Sequence, residues 1–135
     1  MAGNREAQEL ARRWLIRARG SLELAHHPKG GNVQWEDLGF NAQQAAEKAL
    51  KAVLVWHGVQ PPKTHDAAEL IRALQEKHLP VPPKAEELTS LTAFAVEARY
   101  PGAGFPEVSE EDYRGALGLA TVVVDWAEKL VDSPL

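Results

Sequence analysis

The run Gln43-Gln44-Ala45-Ala46-Glu47-Lys48-Ala49-Leu50-Lys51 brings two amides, a carboxylate and two ammonium groups close together in the chain. On a helix, Gln43, Gln44, Glu47, Lys48 and Lys51 recur at three and four positions and share one arc. On it, Gln44, Glu47 and Lys48 could read the polar edge of a nucleotide or line a cleft between two subunits. The plainer alternative is a solvated face. Glu47 and Lys51 form an i,i+4 pair in the favourable order, worth ~0.3–0.5 kcal/mol, which is too little to explain the run by stability. His65, between Thr64 and Asp66, could orient a phosphate at a helix N-terminus, where free amides favour anions; capping or packing is its alternative. Arg99-Tyr100-Pro101 sets a guanidinium beside an aromatic ring, a pair able to hold phosphate and stack on a base. Otherwise Arg99 caps the last carbonyls of a helix and Tyr100 packs against the next one.

Arg5, Arg12 and Arg19 are spaced by seven, with Arg13 and Arg17 nearby. Together they could meet nucleic acid or an acidic partner, or form a solvated charged face in which Glu9, four before Arg13, neutralises part of the set. His26 and His27 are adjacent at a helix end and cannot both turn to one metal without distortion. His26 suits the negative end of the helix dipole instead, and His57 likewise closes a helix. The chain has no cysteine, which excludes thiol catalysis, thiolate zinc sites and disulfides together. It carries no Gly-rich phosphate loop, nucleophile elbow or zinc signature. No metal or cofactor is expected.

These side chains must be positioned by helices. Leu10, Ala11, Trp14, Leu15, Ala18, Leu22 and Ala25 recur at three and four, which predicts a first helix from Asn4, as its cap, to His26. The second is expected from Gln34 to His57 and ends at Gly58, with Pro61 and Pro62 preventing its resumption. Its arc of Ala42, Ala45, Ala46, Ala49, Ala52, Val53 and Trp56 lets neighbours approach closely, so this helix should be the central one. Phe40 and Val55 fall on its polar arc and call for a second surface, either a partner subunit or the loop around Trp35. A short third helix starts at Asp66 or Thr64 and reaches His78, a fourth runs from Pro83 to Arg99, and a fifth from Ser109, paired with Asp112, to Leu130. No strand pattern finds a partner. The expected fold is all-α: an up-and-down bundle of four main antiparallel helices plus one short helix, in a single domain over residues 1–135.

With 135 residues and 44% hydrophobic content, the chain can bury a core without staples. The charged start MAGNREAQEL lacks the apolar segment of a signal peptide, and no apolar run approaches a bilayer span. A cytoplasmic protein without membrane contact is expected. The net charge of −4 argues against a generic DNA-coating protein but allows a local basic patch.

The segment WEDLGFNAQQAAEKALKAVLVWHGVQPPKTHDAAEL, followed by ARYPG and a final helix with an early acidic cap, resembles the HEPN domain, a small helical domain named for proposed nucleotide binding. The resemblance runs from Trp14 to about Leu130. It is carried by Gln44 to Ala52, then Gly58, then Thr64-His65, then Arg99-Tyr100-Pro101, in that order. It implies a helical bundle, usually a homodimer, often working beside a minimal nucleotidyltransferase in toxin–antitoxin-like pairs, with nucleotide or RNA as ligand. Many members are metal-independent ribonucleases that use an Arg followed after four to six residues by His: the imidazole moves a proton and the guanidinium stabilises phosphate charge. Here Arg99 is followed by no such His. Arg19 with His26 and Arg72 with His78 fit the letters, but roughly one such match arises by chance.

Three functions are therefore expected in competition. The first is a non-catalytic or weakly catalytic dimeric subunit paired with a nucleotidyltransferase and binding nucleotide or RNA through Arg99, Tyr100, Gln44, Glu47, Lys48, Lys51 and His65. The second is a metal-independent endoribonuclease with a displaced Arg and His. The third is a dimerisation module without ligand.

Overall fold

A computed structural model describes residues 2–91 and 107–131, the side chains of 2 and 3 excepted. It contains α1 (Ala2–Ala25), α2 (Trp35–Trp56), α3 (Ala67–Glu76), α4 (Ala85–Leu88) with a 3-10 turn over Thr89–Leu91, and α5 (Glu110–Val131). No strand occurs among the described residues. Nor is any helix among them long and apolar enough to cross a membrane.

Local chemistry sets most of the boundaries. The Gln34 amide donates to Asp37 at the start of α2 (2.9 Å). At its end Gly58 takes φ +77°, so that its own amide reaches Val55 O and the Val59 amide reaches Leu54 O, each at 2.9 Å. This pair of bonds satisfies the last carbonyls through a left-handed residue that glycine adopts without strain. Asp66 caps α3 by accepting from the Ala68 amide (2.9 Å), and Ser109 and Asp112 serve each other's amides reciprocally (3.1 and 3.0 Å).

Two expected boundaries change. Helix α1 already exists before Asn4, so Asn4 lies inside it and is not its cap. Helix α4 starts at Ala85 rather than Pro83, because Lys84 adopts a left-handed φ of 61° that no helix can pass through, and the chain then tightens to a 3-10 turn. Trp35 opens α2 within its expected range, and its ring stacks on Tyr113 with centroids 5.1 Å apart. The remainder of the expected fourth helix falls at 92–99, outside the described residues.

Helix α2 is central, packed against α1, α3 and α5. Ala42, Ala45, Ala49, Ala52 and Val53 are fully buried, and small side chains there let the helix axes approach closely. Cross-helix contacts fix the directions. Ser21, Trp14 and Arg12 of α1 meet Lys48, Lys51 and Trp56 of α2 in that order, so these helices are antiparallel. The Tyr113 hydroxyl donates to Ala25 O (2.6 Å) while Arg19 reaches Asp125 and Glu128, so α5 also runs antiparallel to α1.

The expected exposed arc of α2 is corrected in part. Gln43 and Glu47 are 2% and 3% exposed, because the chain after α2 folds back over that side and brings His65 against them. Val55 is buried too, beside the 58–63 segment, so the chain itself covers it. Helical periodicity put these residues on one arc of α2; it could not reveal that another element returns there.

Candidate functional site

Glu47 is the anchor of the site. One of its oxygens accepts from His65 Nδ1 at 2.7 Å and from Gln43 Nε2 at 3.3 Å; the other takes Lys51 Nζ at 3.3 Å. Gln43 Nε2 also reaches His65 O (3.3 Å), and its own oxygen accepts from Gln44 Nε2 (2.9 Å). A carboxylate in a buried position needs such partners to offset its lost hydration. The consequence is positional. A carboxylate only accepts, so His65 Nδ1 carries the proton, and the His65 side chain, 69% exposed, is held at the surface by an otherwise buried partner.

Lys51 links this anchor to the seam between α1 and α2. Its side chain is only 13% exposed and its ammonium lies 5.5 Å from the Trp14 ring centroid, a cation–π arrangement that adds to the Glu47 contact. One turn earlier, Lys48 Nζ donates to Ser21 Oγ (2.8 Å). Burial lowers the Lys48 pKa, with Arg17 and Lys51 pushing the same way and Glu47 opposing them. Three cations thus crowd a short stretch of the seam. Two depressions open along it. A groove of about 700 Å³ is lined by Glu6, Ala7, Leu10, Trp14, Lys51, Val55 and residues 58–63. A smaller one, about 110 Å³, lies among Leu10, Arg13, Trp14 and Arg17.

Of the candidates read from the sequence, the structure joins Gln44, Glu47, Lys51 and His65 in one network and puts Lys48 next to it on the seam. Arg99 and Tyr100 lie outside the described residues. His65 does not sit at a vacant helix start: Asp66 already takes the Ala68 amide, and His65 is bonded to Glu47 instead. Arg19 is held by Asp125 and Glu128, which fixes it on α5 rather than on His26. His78 is in the left-handed conformation that closes α3, its amide on Gln75 O and that of Leu79 on Leu74 O, and so has a local structural role. His57 Nδ1 lies 3.0 Å from Val53 O and closes α2 as expected. Among the described residues no group of three or more His, Asp or Glu could hold a metal ion.

The candidates read from the sequence leave out Gln43, although it shares their arc, and also Ser21, Trp14 and Lys63. Gln43 could have been found by its step of four from Glu47. Ser21 and Trp14 join the site only because α1 and α2 pair antiparallel in one register, and Lys63 because the chain turns at Gly58.

Neither a curated protein nor a solved structure matches the chain. The family model described as the HEPN domain matches residues 11–130. This span takes in the Glu47 network, the α1–α2 seam from residue 11 onward and all of α2, α3 and α4, and the chain belongs to the HEPN domain family.

Proposed function

We propose that the chain is a homodimeric, non-catalytic HEPN subunit that binds a nucleotide or RNA and works beside a minimal nucleotidyltransferase in a toxin–antitoxin-like pair. One observation supports the ligand above all: Arg13, Arg17, Lys48, Lys51 and Lys63 are gathered along the depressions of one seam, in a protein whose net charge is −4. Concentrating cations against the overall charge is what a phosphate-bearing ligand requires. The rigid backing favours the same reading, since the buried Glu47 on α2 fixes both Lys51, one turn along the same helix, and His65 in the connection before α3.

The non-catalytic part follows from the missing His after Arg99 and from Arg19 being engaged by α5. The dimer and the nucleotidyltransferase partner are proposed from the family resemblance. The test combines three measurements on the purified protein: light scattering for the dimer, co-purification with the product of the adjacent open reading frame, and incubation with labelled RNA in EDTA. A dimer, a complex and binding without cleavage are expected. RNA cleavage that survives EDTA and is lost in both Arg72→Ala and His78→Ala would replace this reading with a metal-independent ribonuclease. A monomer that binds neither partner nor nucleotide or RNA would overturn it.

A further inference from the structure

The α1–α2 seam has a shape that narrows the class of ligand. Lys48 lies against Ser21, Lys51 over Trp14, and Val55 beside the groove that Ala7 also lines. From Ser21 to Ala7 the seam therefore follows α1 for about 21 Å at 1.5 Å per residue. Its cations are strung out along this length rather than converging on one point. Arg17 and Lys48 stand toward one end, Arg13 and Lys51 midway, and Lys63 at the other. Arg13, Arg17, Lys48 and Lys63 form no ion pair among the described residues, whereas Lys51 is matched by Glu47. Glu6 lines the groove with Lys51 and Lys63, and Glu9, four before Arg13, is exposed. Between the cations lies an apolar ledge made by half-buried Trp14 and exposed Leu10.

We propose that the ligand of this seam is a single nucleic-acid strand laid along the groove between α1 and α2, not a free mononucleotide or a duplex. The proposal rests on the reading above that the seam takes a phosphate-bearing ligand. Spaced cations match successive phosphates of a backbone, and an aromatic and aliphatic ledge between them suits unstacked bases, which is the combination that single-strand binders use. A mononucleotide would leave most of the seam's cations unmatched. A duplex keeps its bases inside and offers Trp14 and Leu10 nothing to contact.

The probe is a labelled mixed-sequence RNA of about 12 nucleotides, within the range of single-strand site sizes, followed by fluorescence anisotropy at several salt concentrations. ATP, AMP and a duplex of the same sequence serve as competitors. Four matched phosphates give a slope of log K against log salt of about −2.8, and the double variant Arg13→Gln/Arg17→Gln, changed at exposed positions, should reduce it to about −1.4. The unlabelled strand should compete at least tenfold better than either mononucleotide or the duplex. If a mononucleotide or the duplex competes as well as the strand, the strand proposal is overturned while the seam remains a phosphate site; a slope unchanged in the double variant overturns both, because Arg13 and Arg17 then meet no phosphate. If strand and mononucleotide both fail to bind, the phosphate-ligand reading falls with it.

Discussion

Replacing Glu47 by alanine tests whether the buried carboxylate organises this region. The change removes the acceptor for His65, Gln43 and Lys51 at once. His65 is largely exposed and can turn to water, so its contact contributes little to stability. Lys51 is not free to do so: its side chain is mostly buried against Trp14 and would lose its counter-charge in place. Removing one member of a buried pair typically costs about 3–5 kcal/mol, and the remaining access of Lys51 to solvent places the expected loss near ~3 kcal/mol. With an unfolding entropy of about 2.1 cal/mol/K per residue, that loss lowers the Tm of this 135-residue chain by about 10 °C. Calorimetry or urea denaturation reads it directly. Glu47→Gln, which keeps an acceptor of similar shape, should lose about half as much, and His65→Ala less than ~1 kcal/mol. A Glu47→Ala protein that melts within about 3 °C of wild type would refute the claim that Lys51 and the 58–66 connection depend on this carboxylate.

Tyr113→Phe removes the bond to Ala25 O and should cost about 1 kcal/mol at neutral pH in urea denaturation. Burial raises the Tyr113 pKa above its usual value, with Arg114 opposing. The phenol's contribution is therefore complete below pH ~10 and is lost as pH rises through the folded-state value, so wild type should show an alkaline decline that Tyr113→Phe lacks. Equal alkaline profiles would contradict this. Gly58→Ala meets open space but forces an L residue to φ +77°. Its expected cost is about 1–2 kcal/mol, seen as a lower urea midpoint with unchanged m-value; an unchanged midpoint would show that the turn after α2 relaxes freely.

Much of the molecule was legible from local physics. The periodic alanines of α2 announced a central helix, Gly58 its end, Asp66 and Ser109 the starts of α3 and α5, and the α2 alanines and Gly58 also carried part of the family resemblance. These features depend on neighbours within a turn or two, where spacing and side-chain chemistry act directly on the backbone. The start of α4 was not legible, because the left-handed Lys84 is a conformation that its residue type does not announce.

The candidate site divides along the same line. Helical spacing alone placed Gln44, Glu47, Lys48 and Lys51 together, and the pairing of Glu47 with Lys51 is a local contact. Only the tertiary structure decided that Glu47 is buried and that His65, eighteen positions away, is its partner. The α1–α2 register likewise decided that Lys48 and Lys51 meet Ser21 and Trp14. A helix wheel assigns each side chain a direction but not what lies in that direction. Here the occupant is set by a turn at Gly58 and by close packing on alanines, and it converted a nominally solvated arc into a buried charged anchor beside a cationic seam.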